Sequence, residues 1–277
     1  MSDAIIIDGK KAAADKRTEL KNIVDGLDKK PGLAVILVGE DPASHVYVRN
    51  KIRACEKVGI QSFEARLPEK ATQAEVAAEI QAFNDNPAID GILLQLPVPD
   101  HLDSDALIHM IKPEKDVDGL TLPNIGALVA ELDGLVPCTP QGSMHLIKTV
   151  EENLSGKHAV VIGRSLLFGK PMAQLLLQEN CTVTTAHSRT QNIEEICKQA
   201  DILVAAVGRP KMVKGEWIKE GAIVIDVGIN RLDDGTLCGD VDYEEALGKA
   251  KAITPVPGGV GPMTIAYLLA NTVKAAQ

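Results

Sequence analysis

The sequence predicts an α/β protein of two lobes, each built on a mainly parallel sheet. Three observations carry that expectation. Short apolar runs alternate with amphipathic, helix-spaced stretches on both sides of residue ~140. Hydrophobic residues make up 45% of the 277 positions, yet only 3 Phe, 3 Tyr and 1 Trp are present, so the core is aliphatic, which suits buried parallel sheets covered by helices. The apolar runs also end in glycine or proline, which punctuates strands and turns.

The elements follow in order. Residues 10–28 carry Ala13, Leu20, Ile23, Val24 and Leu27 at helical spacing. The continuous apolar run from Gly32 to Gly39 predicts a strand buried on both faces. Asp41 offers a cap and Pro42 a first helical residue for a helix over 43–58. A second strand is expected over 60–67. Thr72-Gln-Ala-Glu75 is a capping box opening a helix to about Asn84. The run 91–96 predicts a third strand, with Gln95 inside it and Pro97-Val98-Pro99 stopping it. A short helix near 103–111, a loop over 112–120 and helices near 123–132 and 139–153 come next.

The second half repeats the alternation. Strands are expected over 158–163, 182–186, 201–207 and 222–227, with helices over 169–179 and 191–199 between them. Asp234-Gly235 signals a hairpin within 229–240. A short helix near 243–250, a strand over 252–254, a Pro/Gly-rich loop over 255–262 and a C-terminal helix of about 14 residues complete the chain. Ligands of such folds sit beyond the C-terminal ends of the strands, so the residues just after each strand are the candidates for function.

Charge and cysteine usage narrow the function classes. Lys and Arg number 29 against 38 Asp and Glu, a net charge of −9, which disfavours sequence-independent nucleic-acid binding and an anionic membrane surface. No apolar run reaches 18 residues, the length a membrane-spanning helix needs. The N-terminal stretch Met1–Asp8 lacks the basic and apolar regions of a signal peptide. Five cysteines, at 55, 138, 181, 197 and 238, show no C-x-x-C, so neither a disulfide framework nor a structural zinc is expected, and a reducing cytosol is. The six histidines are scattered without H-x-x-x-H spacing, and no Ser/His/Asp triad is legible. Cys138 beside Pro137 reads as a packing residue, since a reactive thiol needs an electropositive setting.

Four segments can carry chemistry. The first, Gly163-Arg164-Ser165-Leu166-Leu167-Phe168-Gly169-Lys170-Pro171, follows a strand and opens a helix. It is not G-x-G-x-x-G, but two glycines and a helix N-terminus meet the looser physical need of an anion site. An ordinary strand-to-helix turn is the alternative. The next strand ends in His187-Ser188-Arg189-Thr190, with no carboxylate for a ribose 2′-hydroxyl, while Ser188, Arg164 and Arg189 can meet a 2′-phosphate. That favours NADP over NAD, unless the arginines are only solvated surface charges.

The second segment places Tyr47 and Lys51 at i and i+4 on one helix face, with Val48, Ile52 and Cys55 on another. Read functionally, Lys51 stands at a cleft, Tyr47 is a stacking plate and Gln95 holds the amine without fixing it as an ammonium. Burial would then lower its pKa towards the range of acid–base work. A lysine snorkelling past a surface tyrosine is the alternative. The third, Lys115-Asp116-Val117-Asp118-Gly119, is too thin a ligand set for a metal; Asp118 either makes a turn or pairs with the donor edge of an amino-pyrimidine. The fourth, Pro257-Gly258-Gly259-Val260-Gly261-Pro262-Met263-Thr264, is a rigid low-bulk loop that either admits a flat ligand or acts as a hinge.

Taken together, the motifs form an ordered set. Tyr47-Val-Arg-Asn-Lys51, Gln95-Leu-Pro97, Pro113-Glu-Lys-Asp-Val-Asp-Gly119, Pro137-Cys-Thr-Pro140, Gly163-Arg-Ser165, Asp226-Val-Gly-Ile-Asn230 and the Pro255–Thr264 loop occur in sequence. Over essentially its full length the chain resembles the bifunctional methylenetetrahydrofolate dehydrogenase/methenyltetrahydrofolate cyclohydrolase family. The resemblance implies an N-terminal α/β folate domain over 1–138, a Rossmann-like NADP-binding domain over 139–262, and a C-terminal helix, 263–277, packing back on the N-terminal lobe. It implies a cleft between the lobes and a cytoplasmic homodimer built through the cofactor lobes.

The resemblance also assigns residues. Lys51 would be the catalytic lysine, Tyr47 the stacking ring, Gln95 the lysine's partner and Asp118 the pterin anchor, with Pro257 and Gly258 near the folate. Gly163, Arg164, Ser165, Ser188, Ile229 and Thr264 would bind NADP, with Arg164 and Ser188 at the 2′-phosphate and Ile229 at the nicotinamide. No metal and no nucleic-acid or membrane partner is implied. Leu167-Phe168 departs from the Ile-Val that often precedes Gly169 in the family, and Ala186 from a frequent cysteine. A dehydrogenase without the hydrolytic step, and a non-catalytic nucleotide-binding module, are the competing readings.

Overall fold

The structure, a computed structural model, describes residues 4–277, and at Pro42 and Ala43 the backbone alone. Residues 1–3 of the N-terminal stretch, and the proline side chain at the expected helix start, therefore lie outside the described residues.

In chain order the first half comprises β1 (Ile5–Ile6), α1 (Gly9–Asp25), β2 (Gly32–Val38), α2 (Pro42–Val58), β3 (Gln61–Leu67), α3 (Gln73–Asp85), β4 (Gly91–Leu94), α4 (Ser104–Ile108) and α5 (Leu122–Val129). The second comprises α6 (Cys138–Val150), β5 (His158–Ile162), α7 (Gly169–Gln178), β6 (Thr182–Ala186), α8 (Ile193–Cys197), β7 (Ile202–Ala205), β8 (Ile223–Asp226), β9 (Asn230–Arg231), β10 (Leu237–Cys238), α9 (Tyr243–Leu247), β11 (Ala252–Ile253) and α10 (Val260–Ala275). These elements form two compact units: residues 14–138 with 265–277, and the residues up to Ala13 with 139–264. We call them the N-terminal and the central unit.

The N-terminal unit holds a three-stranded parallel sheet of order β3-β2-β4. Every residue of the central strand β2 is buried, as its unbroken apolar run requires. The period of two sorts that strand. Leu33, Val35 and Leu37 pack with Leu20 and Val24 of α1, Val48 and Cys55 of α2, and Leu268, Leu269 and Val273 of α10. Ala34, Ile36 and Val38 face Val76 and Ile80 of α3 and Leu107 and Ile108 of α4. Each fully buried Leu or Ile contributes about 1.5–3 kcal/mol relative to an exposed one. The cap signals act as read. Asp41 accepts from the Ser44 backbone N–H at 2.7 Å, and Thr72 and Glu75 form both halves of the capping box. The strand expected over 91–96 stops at Leu94, so Gln95 lies just past its C-terminal end, its N–H still bonded to the Ile36 carbonyl at 2.9 Å.

The central unit holds a six-stranded parallel sheet of order β1-β11-β8-β7-β5-β6. The chain runs from β5 to β6 on one side and then to β7 on the other, so the strand order reverses at β5, where doubly wound sheets bind ligands. The hairpin signal at Asp234-Gly235 joins the antiparallel β9 and β10. Strand β1 was not legible: two residues, both exposed, carry no periodic signal. It pairs parallel with β11 and so joins residues 4–13 to the central unit, whereas the sequence reading groups them with 1–138. The last helix starts at Val260 rather than after Pro262, because proline fits the first turn, where no intrahelical N–H bond is needed. Among the described residues no helix is long and apolar enough to cross a membrane.

Candidate active site

Two loops of the N-terminal unit, one carrying Gln95 and one carrying Asp118, come near Lys51 of α2. Helix α2 is fixed by its buried stripe, Val48, Cys55 and Val58, and that leaves Tyr47 and Lys51 on another face. Tyr47 is 46% exposed, a ring with a free surface, while Lys51 is half-buried. The Lys51 Nζ donates to Gln95 Oε1 at 2.9 Å. The Gln95 Nε2 donates to the Leu96 carbonyl, which turns the amide so that its oxygen meets the amine. Asp118 supplies the nearby negative charge.

The electrostatics follow from burial. Desolvation pulls the Lys51 pKa below the ordinary lysine value, with the charge of Asp118 opposing it in part. Burial raises the Asp118 carboxyl, and Lys51 and a hydrogen bond from the Cys138 thiol oppose that rise. The Cys138 thiol is pushed well above its usual range by burial and by Asp118, which leaves it a protonated donor. Its single S–H is shared with the Val117 carbonyl oxygen, 3.2 Å from the sulfur. The packing role read for Cys138 is therefore joined by a polar one. The two aspartates of the loop divide the work. Asp116 is buried and accepts from the Thr121 N–H at 2.7 Å and from Asn124 Nδ2 at 3.0 Å, so it builds the loop. The charge of Asp118 acts on Lys51 instead. Asn271 of α10, which sequence reasoning missed, donates from Nδ2 to the Val117 and Val136 carbonyls at 2.8 Å each. No short-range pattern links position 271 to 117.

The central unit holds a cavity of about 530 Å³ at the switch point of its sheet. Gly163, Arg164 and Ser165 line it after β5, Ser188 after β6, and Val207 and Arg209 after β7. Gly163 has φ +132°, and a Cβ there would stand 2.4 Å from the Ala206 carbonyl oxygen, so only glycine fits this turn. A Cβ on Gly169 would meet the Gly163 carbonyl oxygen at 2.2 Å, so the start of α7 lies close against the end of β5. The Ser165 hydroxyl accepts from the Phe168 and Gly169 N–H groups at 3.1 and 3.4 Å and closes the loop. The Leu167-Phe168 departure is split: Phe168 is 5% exposed and packs inward, while Leu167 is 48% exposed.

The remaining expected residues have definite places. Arg164, Ser188 and Arg189 are exposed, and Arg164 and Arg209 line a cavity whose lining includes no carboxylate among the described residues. Ile229, 52% exposed, follows β8. Thr264 Oγ1 lies 3.0 Å from Thr139 Oγ1, outside the cavity lining. Pro257 is exposed, and Gly258, at φ +111°, accepts the Lys10 N–H at 3.1 Å. Of the residues expected at the folate, Tyr47, Lys51, Gln95 and Asp118 lie in the N-terminal unit, and Pro257 and Gly258 in the central one. Arg209 was overlooked, although its position just after a predicted strand was the available signal.

The glycine turn, the arginines and the cavity at the strand ends fit a dinucleotide bearing a 2′-phosphate. Comparison with known proteins agrees with both halves of this picture. Residues 7–118 match the tetrahydrofolate dehydrogenase/cyclohydrolase catalytic domain, and residues 137–277 match the NAD(P)-binding domain of the same family. The "Bifunctional protein FolD" of Wolbachia sp. subsp. Drosophila simulans is 56% identical over 98% of this chain and 95% of its own. The protein of that name from Bacillus cytotoxicus is 54% identical over 99% and 97%. A crystal structure of the Campylobacter jejuni bifunctional enzyme superposes with a TM-score of 0.96 at 46% identity, covering 99% of this chain and 98% of that one. The Trypanosoma brucei enzyme, solved with NADP cofactor and an inhibitor, gives 0.95 at 40% identity over 99% and 98%. With both domain models matched in order and more than half of the aligned positions identical to relatives covered over nearly their full length, the chain belongs to the tetrahydrofolate dehydrogenase/cyclohydrolase family.

Proposed function

We propose that this protein oxidises 5,10-methylenetetrahydrofolate with NADP⁺ and then hydrolyses the 5,10-methenyl product to 10-formyltetrahydrofolate. The observation that carries the reading is the Lys51–Gln95 pair at 2.9 Å, beside Asp118 and desolvated enough to lower the lysine pKa. NADP⁺ supplies the hydride acceptor when bound. Arg164 and Ser188 hold the 2′-phosphate, Gly163 and Ser165 admit the pyrophosphate against the backbone, and Ile229 and Thr264 contact the cofactor.

Tyr47 stacks on the pterin and Asp118 accepts from its amino-pyrimidine edge, while Pro257 and Gly258 border the folate. Oxidation removes hydride from the bridging carbon, and the resulting cation is shared by the two folate nitrogens. Orientation rather than proton transfer is what this step asks of the protein. In the second step water adds to that carbon and the C–N bond to one ring nitrogen breaks. A proton leaves the water and one reaches the nitrogen. Neutral Lys51 takes the first and, as an ammonium, returns one to the nitrogen, with a net proton released to solvent. Gln95, being neutral, lets both protonation states exist.

We propose further that the protein is a cytoplasmic homodimer joined through its central units and supplies formyl groups of the kind purine synthesis consumes. The sheet edge at β6 and the exposed Leu177 on α7 support a self-complementary face, and four buried free cysteines suit a reducing compartment.

An assay with methylenetetrahydrofolate and each nicotinamide tests the reading. Reduction of NADP⁺, followed by loss of the near-ultraviolet absorbance of the methenyl compound, is expected. Reduction without hydrolysis leaves a dehydrogenase only, and NADP⁺ binding without turnover leaves a binding module.

A further inference from the structure

Two buried carboxylates in the central unit do no work in the mechanism above. Asp240 is 0% exposed and Asp226 is buried beside it. No lysine or arginine side chain pairs with either among the described residues; backbone N–H groups and one amide hold them. The Asp240 Oδ2 accepts from the Val207 and Gly208 N–H groups at 2.6 and 3.0 Å. Its Oδ1 accepts from the Arg209 N–H at 2.8 Å and from Asn230 Nδ2 at 2.9 Å. Asp226 accepts from the N–H groups of Gly228, Asp240 and Val241 at 3.0, 2.9 and 2.8 Å. The fit is tight. A Cβ on Gly228 would stand 2.3 Å from the Asp240 carboxylate, and one on Gly239 1.8 Å from that of Asp226.

The donors are not scattered. Val207 and Arg209 line the cofactor cavity, and Gly208 lies between them in the chain. Gly228 and Asn230 flank Ile229, the residue expected at the nicotinamide. One carboxylate therefore fixes the turn bordering one part of the cofactor site and, through Asn230, the segment carrying Ile229. Resting on the NADP reading above, we propose that Asp240 is a positioning residue for the dinucleotide, setting the 207–209 turn and the 228–230 segment in register with each other. A buried anion suits this task because three successive N–H groups converge on it, and each would be orphaned without it.

The test uses the full-length enzyme and two variants, Asp240→Asn and Asn230→Ala. Asn at 240 keeps the shape but turns a donor towards N–H groups. Trp217, the chain's single tryptophan, lines the cavity, so its fluorescence reports NADP⁺ binding. The cyclohydrolase rate measured without nicotinamide gives the active fraction of each preparation, and dehydrogenase constants are read relative to it. Asp240→Asn should raise the NADP⁺ Kd about tenfold or more and lower the dehydrogenase kcat, the loss expected for hydrogen bonds to a charged acceptor. Asn230→Ala should lower that kcat about tenfold with the NADP⁺ Kd within about twofold. Unchanged Kd and kcat in Asp240→Asn, even with a lower melting temperature, would overturn the proposal. If Asp240→Asn does not fold, a parental kcat in Asn230→Ala overturns it. A parent enzyme that fails to bind NADP⁺ would overturn the functional reading and this proposal with it; a parent that binds beside unchanged variants overturns the proposal alone.

Discussion

Replacing Gln95 by glutamate asks whether the neutrality of the lysine's partner matters. In the parent, Lys51 Nζ sits 2.9 Å from an uncharged amide oxygen, and burial favours the neutral amine. Glutamate keeps the length and the acceptor but adds a full negative charge at that distance. Two unit charges 4 Å apart interact by about 4 kcal/mol at an effective dielectric constant near 20. Lys51 is only half-buried, so solvent screens part of this. A tenfold to hundredfold preference for the ammonium is then the expected order, roughly the lower part of the range seen for opposite charges in contact.

The sign follows from the chemistry. Water addition needs the free amine, so the rising limb of cyclohydrolase rate against pH should move to more alkaline pH. Below it, the rate should fall about ten- to a hundredfold. Hydride transfer removes no proton through Lys51, so the dehydrogenase profile should keep its position. The assay follows methenyl absorbance and NADPH formation in the same preparation from pH 6 to 10. A cyclohydrolase limb that stays in place, with the enzyme folded, would refute the idea that Lys51 works as a free base.

Other perturbations give separate readouts. Arg164→Ala should weaken NADP⁺ binding about ten- to a hundredfold and NAD⁺ by less than about threefold, since only the 2′-phosphate loses a charge-assisted bond; titration with both cofactors decides. Gly163→Ala should lower the melting temperature and abolish the response to NADP⁺, because its Cβ would stand 2.4 Å from the Ala206 carbonyl oxygen in a left-handed backbone; a parental melting curve would contradict this. Asp118→Asn should raise the folate KM while also easing formation of the neutral amine, because the charge that raises the lysine pKa is gone; a cyclohydrolase limb shifted to lower pH checks it.

Much of this was legible in the sequence because the signals are local. The all-apolar run of β2, the capping box at Thr72 and the glycine turn after β5 each act within a few residues, and each folds as read. Tyr47 and Lys51 share a face because helical spacing dictates it. What the chain hid depends on long-range closure. Asn271 meets Val117 across 154 positions, and Asp240 meets Val207 across 33, with no periodicity to announce either. The aspartate pair in K-D-V-D-G looked equivalent, and only their partners separate Asp116, which accepts from Thr121 and Asn124 and builds the loop, from Asp118, whose charge acts on the lysine. The β1 strand was lost for a simpler reason: two residues are too few to show a period.

The most direct test of the account is the ratio of the two activities in Lys51→Met, which keeps the bulk of the side chain and removes the amine. Cyclohydrolase should fall by about a hundredfold or more, the usual loss on removing a general acid–base group. Hydride transfer in the same sample should fall by no more than about tenfold, the value of one hydrogen bond. Equal losses of both activities in a folded enzyme would show that Lys51 only positions the substrate, and would contradict the proton-transfer role assigned to it.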